Sequence, residues 1–284
     1  MASLKDLRRR IRATKSMQQI FKAMEMVAAA KLRRAQQRAQ GSSPYAAKIS
    51  AMLAKLSGAA SESDHPLFKA REVKTTALVV ITADRGFAGA YNTNILRAAE
   101  ARLREAPKGT LAVVVVGRKG RDYLRRRGYP LLATYADLPG EASVEFARRL
   151  TDDLTARYLA GEVDRIELMY SHFVNALVRR VRTEVFLPVG GEAGPPPPDR
   201  GTIFEPNAAA LLADLLPRYA TAKLYAALAD ALASEHSARM VAMGSARKNA
   251  GELVDSLTLT RNRLRQAMIT REIAELVGGA EALN

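Results

Sequence analysis

The two ends of the chain carry long segments with helical apolar spacing, and this feature limits the possible folds more than any other. Between residues 3 and 56 the apolar side chains recur mostly three or four positions apart: Leu4, Leu7, Ile11, then Met17, Ile20, Met24, Val27, Leu32 and Ala35. Such spacing is typical of one face of a helix, which Gly41 and Pro44 are predicted to interrupt or bend. With a rise of about 1.5 Å per residue, the helix would be roughly 80 Å long.

A second helical segment is predicted from about residue 207 to residue 277. Its apolar positions are Leu224, Leu228, Leu232, Met240, Met243, Leu253, Leu257, Leu264, Met268, Ile273 and Leu276. Pro217 predicts a break near its start, and Gly278-Gly279 predicts its end. The 60 residues from 218 to 277 would form a rod of roughly 90 Å.

The middle of the chain has a different pattern, with continuous β-branched runs bounded by turn residues. Thr76–Thr82 and Leu111–Val116 are predicted to be strands that are buried on both faces. Three further strands are predicted at 165–170, 181–187 and, more weakly, 130–135, and helices are predicted around 88–105, 118–127 and 143–160. This alternation predicts an α/β domain with a mainly parallel sheet over residues 75–190.

The three regions are separated by segments that favour neither helix nor strand. Residues 57–75 are polar, and the Pro/Gly-rich stretch Gly190–Gly201 follows the last strand. The predicted domains are therefore an N-terminal helix at 1–57, the α/β domain at 75–190 and a C-terminal helix at 207–284.

The two terminal helices are too long to wrap around a domain of that size, whose radius would be about 13–15 Å. Each helix has an apolar stripe that is unfavourable in water. Pairing the stripes would remove them from water, with a gain of about 25 cal/mol per Å² buried. We therefore expect both helices to project from the α/β domain as a long antiparallel coiled coil.

Charge and composition limit the function. The chain has no cysteine, which excludes disulfides, thiolate metal sites and a cysteine nucleophile. Its net charge is +15, and residues 1–40 hold 11 Lys and Arg against 2 Asp and Glu, which predicts a polyanionic partner. The sequence has no apolar run of about 20 residues and no signal peptide, so we expect a cytoplasmic location with membrane association only through partners.

Four segments resemble one known family. They are Lys22–Lys31 (KAMEMVAAAK), Asp84–Asn94 (DRGFAGAYNTN), Glu235–Met243 (EHSARMVAM) and Asn249–Gly279 (NAGELVDSLTLTRNRLRQAMITREIAELVGG). In this order and spacing they resemble the F-type ATP synthase gamma subunit, of the bacterial type without the cysteine-bearing redox insertion. The resemblance implies a coiled coil of the terminal helices and a Rossmann-like α/β foot domain.

The resemblance also implies a setting and a set of contact residues. A family member is the central rotor shaft, without a catalytic site, cofactor or metal of its own. It turns within a hexamer of alpha and beta subunits, and its foot rests on the epsilon subunit and the membrane c-ring at the cytoplasmic face of the cell membrane. The matched hexamer-contact positions are Lys22, Met24, Glu25, Arg239, Gln266, Thr270 and Glu272, and the matched foot positions are Phe204 and Glu205.

Simpler interpretations of these residues stay open at this stage. Met24 and Met26 suit coil packing, and Arg239 suits a solvated helix face. Gln266 and Thr270 form an ordinary surface pair at a spacing of four, and Glu272 is placed to support Arg271.

Two other classes of function remain as alternatives. A basic helix on a coiled coil is also a feature of nucleic-acid-binding proteins, although here the basic residues overlap the apolar stripe. A Rossmann-type enzyme is the second alternative, but Gly86 and Gly89 do not form a dinucleotide or P-loop motif and favour a tight structural turn. We therefore predict neither nucleic acid nor nucleotide as a partner of this chain.

Overall fold

The computed structural model describes residues 3–59, 65–68, 71–189 and 207–281. The chain divides into two compact units. The first, which we call the terminal unit, consists of Met1–Val27 and Met240–Asn284. The second, the sheet unit, is Ala28–Arg239. The domain limits drawn from the sequence stay a prediction.

Two long helices and an α/β segment make up the described chain. The helices are α1 (Leu4–Ala59), α2 (Tyr91–Glu105), α3 (Arg118–Arg126), α4 (Val144–Leu159) and α5 (Ala208–Glu281). The strands are β1 (Thr76–Ile81), β2 (Leu111–Val116), β3 (Leu131–Tyr135), β4 (Arg165–Phe173) and β5 (Arg179–Leu187). All five predicted strands are present within a few residues of their predicted limits.

The strands form one sheet in the order β3-β2-β1-β4-β5. β1 pairs in parallel with β2 and β4, and β2 pairs in parallel with β3. β4 and β5 form an antiparallel hairpin. The prediction of a mainly parallel sheet is confirmed, and helices cross between the parallel strands as such connections require.

The central strands are buried on both faces, which explains their continuous apolar sequence. Ala77, Val79 and Ile81 of β1 lie in a core with α1, α4 and α5. Leu78 and Val80 point to the opposite face and pack with α2 and α3.

Within the sheet unit, long stretches of α1 and α5 pack on the sheet. Ile49 and Leu53 of α1 and Leu212, Leu216 and Leu224 of α5 are buried in the same core as β1. The expectation that both helices project along their whole length is therefore wrong for these stretches. The apolar stripe is covered here by sheet residues as well as by the other helix, so more apolar area leaves water.

Within the terminal unit, α1 and α5 pack antiparallel, as predicted. The side chain of Gln18 lies at Gly251, and the side chain of Glu25 lies at Gly244. The predicted stripe is wrong at Met17, Ile20 and Val27, which are exposed, whereas its member Met24 is half-buried. A stripe of buried or half-buried side chains on α1 instead recurs three and four residues apart: Leu4, Leu7, Ile11, Thr14, Gln18, Phe21 and Glu25.

The predicted helix interruptions do not occur, and the alternative of a bend at Gly41 and Pro44 stays a prediction. α1 continues through Gly41 and Pro44, and α5 continues through Pro217 and through Gly278-Gly279. Proline removes one backbone hydrogen bond, but Leu216 and Ala220 on either side of Pro217 are buried in the core. Tertiary packing therefore outweighs the local cost of the proline.

Candidate partner-contact surfaces

Three of the residues matched to hexamer contacts lie within one turn of α1. Lys22 is exposed, and Met24 is half-buried. Glu25 accepts a 2.8 Å hydrogen bond from Nε of Arg247 on α5. Lys22 and the exposed part of Met24 are thus available to a partner, whereas the Glu25 carboxylate is already bound within the chain.

The outer face of α1 in the terminal unit carries large apolar side chains. Met17, Ile20, Met26 and Val27 are 51–58% exposed. The interpretation of Met26 as a coil-packing residue is therefore wrong. Contiguous apolar exposure is typical of a surface that another molecule covers, and Ile20 and Val27, seven residues apart, share one face of the helix.

The last part of α5 is fully exposed in this structure. All residues from 266 to 278 are exposed, and they include the matched positions Gln266, Thr270 and Glu272. The ion partner of Arg271 is Glu275, at 2.7 Å, and not Glu272. The same stretch exposes apolar side chains: Met268, Ile269, Ile273, Leu276 and Val277.

Arg239 lies in a different environment from the other matched residues. Its side chain is only 13% exposed and forms a 2.5 Å ion pair with Glu235, one turn earlier on α5. It also donates from Nε and Nη2 to the backbone carbonyl of Gly86, at 3.3 and 3.2 Å. The interpretation of Arg239 as a solvated helix charge is wrong, and its contact with a hexamer stays a prediction.

Burial controls the ionisation of the residues beside Arg239. Burial raises the pKa of Glu235, and the Arg239 charge opposes that rise. Burial, together with the charges of Arg239 and Lys31, lowers the pKa of His236 to about 4. His236 is therefore neutral in the folded protein near neutral pH.

The neutral state of His236 predicts a loss of stability in mild acid. Below its ordinary pKa of 6.5, the unfolded chain binds a proton that the folded chain does not. The free energy of unfolding should therefore fall as the pH decreases from 6.5 towards 4, by about 2 kcal/mol at pH 5. Urea unfolding at pH 7 and pH 5 measures this, and the decrease should be smaller in His236→Gln. An equal decrease in the wild-type protein and in His236→Gln would show that His236 is not the source of the pH dependence.

The segment Asp84–Asn94 contains the turn from β1 to α2 and the first residues of α2, and polar side chains of the segment hold the turn. The Asp84 carboxylate accepts hydrogen bonds from the backbone N–H groups of Arg118, at 2.7 Å, and Leu138, at 2.6 Å. Asn92 accepts a 2.9 Å bond from the N–H of Ala83. The Asp84 carboxylate thus lies at the N-terminus of α3, a position that favours anions.

This turn also exposes a residue that the sequence analysis did not identify. Phe87 is 71% exposed and has φ = 60°, a conformation that is uncommon for a residue other than glycine. The Arg239 bonds to the carbonyl of Gly86 hold the preceding residue in place. Neither the exposure nor the backbone angle has a signal in the sequence.

The remaining predicted residues and sites have less structural detail. Phe204 and Glu205 lie outside the described residues. Among the residues that are described, no group of three His, Asp or Glu side chains is arranged to hold a metal ion. In the same part of the chain, no helix has both the length and the apolar content needed to cross a membrane.

The described residues thus form one unit of paired helices and one unit built on a mainly parallel sheet. The family model described as ATP synthase matches residues 3–283, so the chain belongs to that family.

Comparison with curated proteins makes the assignment more specific. Along its whole length the chain is 48% identical to the ATP synthase gamma chain of Desulforamulus reducens and 46% identical to that of Moorella thermoacetica, and each comparison covers the full relative. The chain is thus a member of the gamma-chain group, a subunit type of that enzyme complex.

Solved structures agree with this fold. The central stalk and c-ring structure of the Tetrahymena thermophila mitochondrial ATP synthase contains a chain that is 25% identical, with a TM-score of 0.62. That match covers 80% of this chain and 99% of the other. A chain of the Euglena gracilis mitochondrial ATP synthase has a TM-score of 0.73 over 99% of this chain and 94% of the other, at 22% identity, which supports the fold alone.

Proposed function

We propose that this chain is the central rotor shaft of an F-type ATP synthase. It transmits torque between a proton-driven membrane ring and a hexamer of alpha and beta subunits, and it has no active site of its own. The observation that carries the proposal is the exposed end of α5, where residues 266–278 leave five large apolar side chains in water. Such a surface is unfavourable unless a partner covers it.

A rotor acts through differences in contact free energy. Chemically equivalent catalytic subunits adopt different conformations only if the shaft offers each of them a different set of contacts. The terminal unit presents unlike faces, with exposed Met17 and Ile20 on α1 and exposed polar and apolar residues near the end of α5. Rotation of such a surface would change the contacts that each subunit receives.

The charge of α1 supports an acidic partner surface. Residues 1–40 contain 11 basic and 2 acidic residues, and Lys22 is exposed. Complementary charge favours and orients an encounter without a single rigid docking geometry. We assign Lys22, Met24, Gln266, Thr270 and Glu272 to the hexamer contact.

The foot contacts and the location complete the proposal. We assign Phe204 and Glu205 to contacts with the epsilon subunit or the c-ring, on the resemblance of the sequence alone. The chain would then lie at the cytoplasmic face of the cell membrane as a peripheral component of the complex.

Co-purification tests the proposed function directly. The full chain with an affinity tag, expressed in its own cells, should recover a large membrane-associated complex that hydrolyses ATP. Recovery of the chain alone, or with nucleic acid that is released by salt, would contradict the proposal. The second outcome would favour the nucleic-acid-binding alternative.

Removal of the exposed end of α5 should separate coupling from folding. A stop after Arg265 removes the stretch 266–278, whose residues are all exposed, so the free energy of unfolding should change by less than about 0.5 kcal/mol. Proton-driven ATP synthesis by the assembled complex should fall several-fold, because the deleted surface includes Gln266, Thr270 and Glu272.

The matched variant for the truncation is Gln266→Ala/Thr270→Ala/Glu272→Ala, which keeps the helix and removes the three polar groups. ATP synthesis at the full wild-type rate by the truncated protein would refute the role of this segment. If the truncation reduces synthesis and the triple variant does not, the apolar residues of the segment make the contact.

A further inference from the structure

The stripe of α1 that faces α5 in the terminal unit contains two long polar side chains at equivalent positions. Its members recur alternately three and four residues apart, which is the heptad spacing of a coiled coil. Gln18 and Glu25 continue the heptad position that Leu4 and Ile11 occupy earlier in the helix, and the shorter Thr14 belongs to the other position. A polar residue at such a position reduces stability but specifies the register of the helices.

The two polar side chains lie against two glycines of α5 that are also seven residues apart. A Cβ atom added to Gly251 would be 2.9 Å from Nε2 of Gln18, and one added to Gly244 would be 3.1 Å from Oε1 of Glu25. Each polar side chain thus occupies space that a larger residue on α5 would fill. Both pairs belong to the same antiparallel register.

An ion pair joins the helices at this position. Nε of Arg247 donates to Oε2 of Glu25 at 2.8 Å, and the two side chains are 45% and 29% exposed. Ion pairs with this exposure contribute little to stability because water screens them. Their geometry is nevertheless specific, since a slip of one helical turn, about 5 Å, would move the carboxylate away from the guanidinium.

The buried apolar contacts of the terminal unit are few and do not specify the axial position strongly. Among the described residues of this unit, the buried ones are Leu7, Ile11, Met243, Ala250 and Val254. Apolar contact is non-directional, so one helix can slide along another at little cost if apolar groups continue to meet. The axial position of α1 against α5 therefore depends on contacts with a specific geometry.

We propose that Glu25, Arg247 and Gly244 fix the axial register of α1 against α5 and prevent the helices from sliding under torque. The inference rests on the proposed rotor function. It makes Glu25 a positioning residue within the shaft, whereas the family resemblance places it at the hexamer contact. Lys22 and Met24 keep the contact role.

Charge exchange distinguishes the two roles of Glu25. In assembled complexes, Glu25→Arg and Arg247→Glu should each reduce the ratio of proton transport to ATP hydrolysis several-fold. The double variant Glu25→Arg/Arg247→Glu restores the ion pair with reversed polarity, and the ratio should return to within about two-fold of wild type. A residue that contacts an acidic or basic partner would not be rescued by a change on α5.

A matched control is available on the same helix. Lys248 and Glu252 form an exposed ion pair within α5, four residues apart. The exchange Lys248→Glu/Glu252→Lys also reverses one positive and one negative charge. It leaves the ion pair between Glu25 and Arg247 unaltered. It should leave the coupling ratio unchanged.

Register can also be measured without activity. Because the chain has no cysteine, spin labels attached to Met17→Cys and Leu259→Cys, both at exposed positions, are the only labels in the full chain. Pulsed electron spin resonance should give one narrow distance distribution in the otherwise wild-type protein. Glu25→Arg should broaden it or shift it by about 5 Å, one turn of helix, and the charge exchange should restore it.

The outcomes separate this inference from the proposed function. Unchanged coupling and an unchanged distance distribution in Glu25→Arg would overturn the register role, and so would a double variant that remains as defective as Glu25→Arg. Failure of the wild-type chain to enter an ATP-hydrolysing complex would instead overturn the rotor function, while the distance measurement would still decide the register.

Discussion

Replacement of Arg239 by alanine is expected to lower the free energy of unfolding by about 3–5 kcal/mol. The guanidinium is 13% exposed and neutralises Glu235, which is 10% exposed. It also donates to the carbonyl of Gly86 and so ties the turn after β1 to α5. Without Arg239, a buried carboxylate and a backbone carbonyl would both lose their donor. Urea unfolding at pH 7 measures the loss.

A double variant separates the structural role of Arg239 from a partner contact. Arg239→Met/Glu235→Leu removes both charges and keeps similar volumes, so it should recover most of the lost stability. If that double variant is stable but couples poorly in the assembled complex, Arg239 also contacts the hexamer. If the double variant is as unstable as Arg239→Ala, the unpaired carboxylate of Glu235 is not the cause of the lost stability.

Replacement of Gly117 by alanine should have an effect of similar size for a different reason. Gly117 has φ = +100°, and an added Cβ would lie 2.3 Å from the backbone oxygen and 2.8 Å from the carbonyl carbon of Thr82. Neither β1 nor β2 can move away without breaking the parallel pairing between them. Backbone strain and overpacking together predict a loss of about 3–5 kcal/mol in the free energy of unfolding.

Gly128 provides the control for backbone strain alone. Its φ is +76°, and in the described part of the structure an added Cβ meets no heavy atom within 4 Å. Gly128→Ala should therefore cost only about 1–2 kcal/mol. Equal losses of unfolding free energy in Gly117→Ala and Gly128→Ala would show that the close approach of Gly117 to Thr82 does not contribute to the effect. The comparison uses thermal or urea unfolding of the full chain.

The sequence located the strands well because their apolar runs are distinctive. A buried parallel strand needs apolar side chains on both faces, and few other structures require β-branched runs such as Leu111–Val116. The antiparallel pairing of the terminal segments was also predictable, since two long apolar stripes in one chain cover each other most simply.

The identity of the inward-facing residues on α1 was less predictable. Met17, Ile20 and Val27 follow helical spacing but face solvent, whereas Gln18 and Glu25 face α5. A helix with two apolar faces, one for its own chain and one for a partner, gives no signal in its periodicity to tell them apart. The heptad spacing along the first 25 residues is recognised only when Thr14, Gln18 and Glu25 are counted as members of the stripe that faces α5.

Helix ends were predicted poorly for a related reason. Pro217 and Gly278-Gly279 are unfavourable in a helix, yet α5 includes all three. Local propensity amounts to about 1 kcal/mol for glycine and about 3 kcal/mol for proline, and tertiary packing exceeds the latter around Pro217.

The sequence by itself determined the α/β segment, the two long helices, the basic character of α1 and the family. These follow from short-range patterns and from segments of matching sequence, which do not depend on how distant residues meet. The tertiary structure alone decided that Arg239 is buried against the carbonyl of Gly86, that Glu25 pairs with Arg247 and that α1 and α5 pack on the sheet. Each depends on contacts between residues far apart in the chain, which set burial and charge pairing and leave no local pattern.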